Sequence, residues 1–121
     1  LFIQMDLLNK KCVPCEGGMP PLAPEEIEKY LSQVTGWEVL GTHSTSSGQA
    51  KKVSREFKFK DFKEAMDFVN KVADLAESEG HHPDILVHGW NKVRIESTTH
   101  AIGGLSENDF ILAAKIGDKI K

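Results

Sequence analysis

The residues best suited to chemistry are gathered in the last third of the chain, in ESEGHHPDILVHGW followed by TTHAIGGLSENDF. They set Glu77, His81, His82, Pro83, Trp90, His100 and Asp109 in order. Imidazole is the side chain whose unperturbed titration falls near neutrality, so one protonated and one neutral ring can give a proton to one atom and take a proton from another. A His-His-Pro preceded by Glu77, with Thr-His at the far end of a hairpin, is an arrangement that packing alone does not explain. Candidate catalytic residues are therefore His81, His82 and His100.

The surrounding pattern says why these groups should meet. Ala23-Pro24-Glu25-Glu26 opens a helix, with proline in the first turn and acids at its positive end. Ile27, Tyr30, Leu31 and Val34 form its apolar stripe, and Thr35-Gly36 ends it. Residues 37–40 read as a short strand, 41–49 as a polar loop and 52–59 as a second strand with Val53, Phe57 and Phe59 on one face. Asp61 caps the longest helix, whose expected stripe is Phe62, Ala65, Met66, Val69, Val72, Ala73 and Ala76, ending by Gly80. Residues 84–88 and 92–98 form a hairpin across Gly89-Trp90-Asn91. Ser106, followed by Glu107 and Asp109, opens a last helix carrying Phe110, Ile111, Ala113, Ala114 and Ile120. This order predicts an α+β two-layer sandwich, a four-stranded antiparallel sheet with three helices on one face. Residues 1–22 read as an irregular N-terminal arm, peripheral to catalysis, and 23–121 as the domain. Met5 is a candidate initiator, which would make residues 1–4 a cloning remnant.

A hairpin centred near Trp90 and Asn91 brings His81 opposite about His100, and His82 opposite about Thr99, with a one-residue slip changing which ring points where. Glu77 lies one helical turn before His81. The Gly103-Gly104 pair lets backbone approach a ligand closely. Plainer readings stand beside these. Glu77 also reads as a solvated helix residue and Asp109 as a first-turn acid. Trp90 reads as hairpin packing, His88 as structural and His43 as a solvated loop residue. A metal site is the rival chemistry, but adjacent His81 and His82 diverge in extended backbone.

Composition narrows the classes. The chain has 121 residues and a formal net charge of −3, enough for one domain and its core. Lys51, Lys52, Arg55, Lys58 and Lys60 are interleaved with acids, which disfavours direct nucleic-acid binding. No run approaches a membrane span, and residues 1–8 do not resemble a secretion signal. Cys12 and Cys15 lack a second pair for zinc and read as reduced thiols in the arm, with the cytoplasm, and the nucleus as a second compartment, as the expected location.

The spacing Glu77, three residues, His-His-Pro, six residues, Trp90, nine residues, His100, eight residues, Asp109 resembles the signature of the pterin-4a-carbinolamine dehydratases, also known as dimerization cofactors of homeodomain factors. Gly36-Trp37, FKFKDFKEA, Asn91-Lys92-Val93, Gly104-Leu105-Ser106 and CVPCEGG extend the likeness over about residues 12–121. The resemblance implies dehydration of 4a-hydroxytetrahydropterin to the quinonoid dihydropterin, recycling the cofactor of aromatic amino-acid hydroxylases, without metal or other cofactor. It implies His82 as the principal acid/base group, with His81 and His100 holding the pterin and sharing proton transfer. It also points to Gly80, Thr98, Thr99 and Ala101 as substrate contacts, and Glu77, Pro83 and Asp109 belong to the same motif. Gly80, Ala101 and Ile85 depart from residues that some members carry. The family further implies homodimers or homotetramers. The alternative it carries is a coactivator that stabilises dimers of a transcription factor, and a hydroxylase partner is a further expectation. A metal-dependent hydrolase is a third reading.

Overall fold

The computed structural model describes residues 7–13, 20–41 and 51–120. Cys15, His43 and most of the expected polar loop lie outside the described residues. Helices α1 (Pro24–Leu31), α2 (Phe62–Glu79) and α3 (Glu107–Asp118) accompany strands β1 (Glu38–Leu40), β2 (Lys52–Lys58), β3 (Asp84–His88) and β4 (Lys92–Ser97). The strands form one antiparallel sheet in the order β1-β2-β4-β3, with the three helices packed on one face. The expected α+β sandwich is the fold observed.

Alternation along the strands sorts the two faces. Val53 and Phe57 of β2, and Val93, Ile95 and Ser97 of β4, are buried toward the helices. Their neighbours form a charged outer face, where Arg94 lies 3.1 Å from Glu96, 3.8 Å from Glu56 and 3.9 Å from Glu38. Such solvated pairs contribute little to stability. They keep this side of the sheet wet.

Asp61 caps α2 as expected, accepting the Glu64 N–H at 2.8 Å. The buried stripe of this helix is Ala65, Phe68, Val72 and Ala76, while Phe62 and Ala73 face outward. Phe68 decides the rotation: its ring packs 4.7 Å from that of Phe57 and 5.0 Å from that of Phe59. At the other end Gly80, with φ of 69°, takes the left-handed cap that turns the chain into His81 and His82.

The hairpin sits one residue from the expected register, Asp84 opposite Glu96 through His88 opposite Lys92. Its turn is centred on Trp90, which has φ of 58°. Asn91 is held at the end of β2 instead: its carbonyl accepts the Phe59 N–H and its side-chain amide donates to the Phe59 carbonyl, each at 2.8 Å. Trp90 is exposed at the tip and does not pack in the core.

Helix α3 is buried on nearly every side, at Phe110, Ile111, Leu112, Ala113 and Ile116. The arm explains this. Residues Leu7–Asn9 form a 3-10 turn packed on α3, with Leu7 and Cys12 buried in the same core. Residues 7–13 of the arm are thus docked, where the sequence reads as irregular.

Candidate active site

Where α2, β4 and α3 meet, Asp109 has no exposed surface. It stands in the first turn of α3, whose cap Ser106 accepts the Asn108 N–H at 3.2 Å. In return Asp109 Oδ2 accepts the Ser106 N–H at 2.9 Å. A capping acid of this kind usually stops there. This carboxylate also accepts the Ser97 hydroxyl at 2.6 Å and the Thr99 hydroxyl at 2.8 Å. Its Oδ1 then lies 2.7 Å from Nε2 of His81, whose side chain is 12% exposed. A buried carboxylate with this many donors has no freedom to turn, so it fixes the tautomer and orientation of the ring it holds.

His82 is placed differently. Its Nε2 is 2.5 Å from Glu77 Oε2, but the two side chains are 61% and 77% exposed. Pro83 separates this pair from β3. Opposite, the chain leaves β4 through Thr98 and Thr99 into a 3-10 turn, His100–Ile102. Thr99 and Gly104 exchange backbone hydrogen bonds at 3.0 and 3.4 Å, which closes the loop that presents His100.

These elements enclose a cleft of about 300 Å³. Gly80, His81 and His82 line one side, and Thr98, Thr99, His100 and Ala101 the other. Thus the three candidate histidines do converge. Of the remaining candidates, Glu77 and Pro83 lie beside the cleft and Asp109 beneath it, outside its lining. The threonine hydroxyls are already bonded within the protein, Thr98 to the Lys51 carbonyl at 2.6 Å and Thr99 to Asp109. Gly104 serves the protein's own packing, since a Cβ there would stand 2.7 Å from Pro21 Cβ, and Gly103, with φ of 70°, takes the left-handed cap of the 3-10 turn. His88, by contrast, is on the outer face, 2.7 Å from Glu56.

Two lining residues escaped the sequence reading: Val13, from the arm, and Asn108. Nothing in their spacing marks them, because the contact spans most of the chain. A larger cleft of about 640 Å³ lies elsewhere, lined among others by Arg55, Lys58, Glu64, Asp67, Lys71 and Lys119. It contains charges of both signs and no histidine, so the three candidate imidazoles gather only at the smaller one. Among the described residues, no three His, Cys, Asp or Glu side chains converge in a metal-ligating group.

The comparisons agree with this geometry. The family model for pterin 4 alpha carbinolamine dehydratase matches residues 20–119. A protein of Nitrosospira multiformis that carries the provisional name pterin-4-alpha-carbinolamine dehydratase is 54% identical over 92% of this chain and 89% of its own. Pterin-4-alpha-carbinolamine dehydratase 2, mitochondrial, of Arabidopsis thaliana is 47% identical over 93% of this chain and 58% of its own. Among solved structures, a transcriptional coactivator/pterin dehydratase from Brucella melitensis superposes with a TM-score of 0.68 at 31% identity, over 81% of this chain and 96% of that one. With residues 20–119 matched by the family model and the Nitrosospira relative 54% identical over 92% of this chain, the chain belongs to the pterin-4a-carbinolamine dehydratase family.

Proposed function

We propose that this protein dehydrates a 4a-hydroxytetrahydropterin to the quinonoid dihydropterin, with His82 as the principal proton-transfer group. The observation that carries the reading is the convergence of His81, His82 and His100 on one cleft with His81 locked to a buried acid. In the reaction the C4a–O bond breaks as an imidazolium protonates the departing hydroxyl. A neutral imidazole takes the proton released from the ring nitrogen system, and water leaves. No electrons are exchanged with an outside carrier. His81, fixed by Asp109, suits the task of holding the substrate. His82 is open to solvent, so it can be reprotonated between turnovers. His100 presents a third imidazole from the opposite wall. Gly80, Thr98, Thr99 and Ala101, with Val13 and Asn108, supply the remaining surface, and Glu77 and Asp109 act through the rings they hold.

Purified protein should accelerate the loss of water from 4a-hydroxytetrahydropterin well above the spontaneous rate. Turnover no faster than the uncatalysed reaction would sink the reading.

A coactivator role is the second reading, favoured by the Brucella structure, whose description joins the two functions. A pull-down of a transcription factor, or of a hydroxylase, with wild-type and His82→Ala protein would separate binding from catalysis. Self-association is supported by the sheet. Among the described residues the short β1 pairs only with residues 52–54 of β2, which offers the rest of that edge to a copy of the chain. Sedimentation at micromolar concentration should show a dimer or tetramer. The location we propose is the cytoplasm, with the nucleus as a second one.

A further inference from the structure

We infer that the arm is a working wall of the cleft, with Val13 as a substrate-positioning residue and Asn108 as the clamp that sets it there. The inference rests on the dehydratase reading and adds to it a residue outside the run from Glu77 to Asp109. Asn108 Oδ1 accepts the Val13 N–H at 3.0 Å, and Asn108 Nδ2 donates to the Val13 carbonyl at 2.5 Å. One side chain therefore takes both backbone polar groups of Val13, as a neighbouring strand would. The preceding residues are tied down as well. The Cys12 N–H donates to Glu79 Oε1 at 2.9 Å, the Cys12 thiol to the Asn108 carbonyl at 3.5 Å and Lys11 Nζ to the Ser78 carbonyl at 2.7 Å. The arm thus bridges the end of α2, which leads into His81 and His82, and the start of α3, which carries Asp109.

The outcome is an apolar side chain, 63% exposed, fixed at the rim of a polar cleft. An exposed valine is ordinary on a protein surface. A valine whose backbone is ordered by a two-point clamp from another lining residue is not, because ordering chain costs conformational entropy. The cleft's other apolar side chain is Ala101. The bicyclic substrate has polar edges and a 4a-hydroxyl, suited to imidazoles, and carbon surface on the opposite face, suited to Val13 and Ala101. Val13 touches the ring equally in ground and transition states, so it should act on KM more than on kcat.

The test is steady-state kinetics with 4a-hydroxytetrahydropterin, beginning with the wild type. No wild-type turnover overturns the dehydratase reading and this inference with it. Given turnover, Val13→Ala should raise KM about tenfold, with kcat changed by less than about twofold. Asn108→Ala should raise KM similarly and expose the Val13 amide to hydrogen exchange. The double variant should be no worse than the poorer single one, since both changes remove one device. Val13→Ala, a change at an exposed side chain, keeps the test alive if Asn108→Ala fails to fold. A Val13→Ala enzyme with wild-type KM, or a Val13 amide as protected in Asn108→Ala as in the wild type, overturns the inference.

Discussion

His81 and His82 are neighbours in the chain, and each has a carboxylate oxygen at hydrogen-bond distance from Nε2, at 2.7 and 2.5 Å. The resemblance ends there. Asp109 is sealed in the core and engaged by Ser97, Thr99 and Ser106 as well as by His81. Glu77 is mostly in water, on the outward face of α2. A short distance therefore says little about what a contact is worth. In the buried pair every donor depends on one acid, and losing the acid strands them all. In the exposed pair water replaces either partner at small cost. One histidine is set by the architecture, and the other stands open to solvent.

The sharpest way to break this division is to remove the rings. His82→Ala should lower kcat by about 10²–10⁴ if the solvent-facing ring transfers the proton. His81→Ala and His100→Ala should raise KM as well, with smaller losses in kcat. A folded triple variant, His81, His82 and His100 all to Ala, with near wild-type turnover would overturn the acid/base assignment and leave the coactivator reading in front.

The next effect in size is on stability. Asp109→Ala should cost about 3–5 kcal/mol in chemical denaturation, since buried donors lose their acceptor. That is a large share of an ordinary domain's stability. Asp109→Asn keeps the shape but turns one acceptor oxygen into a donor, so it should cost less and still raise KM by misorienting His81. An Asp109→Ala variant as stable as wild type would show that this network does not hold the fold.

How far the sequence shows this division can be judged residue by residue. The helices, the hairpin and the convergence of the three histidines follow from periodicity, caps and turn position, all of them local signals. Asp109 is visible as a first-turn acid and through the family spacing, but its reach to Ser97 and His81 depends on how α3 lies across β4. The expected stripe of α2 holds at Ala65, Val72 and Ala76 but includes Phe62 where the fold buries Phe68, because aromatic neighbours on β2 select Phe68. The docking of the arm leaves no trace in the sequence. Its partners Glu79, Asn108 and Glu107 are far along the chain, and no local pattern encodes such contacts.

Glu79, two residues after Glu77 on the same helix, sharpens the comparison because it faces inward. Burial pushes its carboxyl up, but the Lys115 ammonium at 2.6 Å and the Cys12 N–H outweigh this and hold it below the ordinary range. A group lowered in the fold stabilises above its unfolded pKa, and that contribution is lost as the pH falls through the lowered value. Cys12 runs the other way: burial, then the charge of Glu79, pushes its thiol up to about 12. Its contribution is intact below the ordinary thiol range and drains away as the pH climbs toward the raised value, because the unfolded thiol ionises first. Urea midpoints should therefore show a plateau between those limits. Lys115→Ala should cost on the order of 3 kcal/mol on the plateau, and Cys12→Ser should flatten the alkaline fall. An alkaline limb identical in Cys12→Ser would remove the thiol from the account.

The smallest effect should come from Glu77, and it tests the exposed half of the comparison directly. Glu77→Gln keeps the length of the side chain and a carbonyl acceptor for His82, and removes only a charge that water already solvates. Unfolding free energy should change by less than about 0.5 kcal/mol. Whatever orientation Glu77 gives His82 then appears in kinetics alone, as a loss in kcat of less than about tenfold, or about 1.4 kcal/mol in barrier. That loss should shrink further as salt is added to wild type and variant alike, because an exposed pair is screened. A stability loss as large as that of Asp109→Ala would mean that Glu77 is a structural acid too, and the contrast between the two pairs would fail.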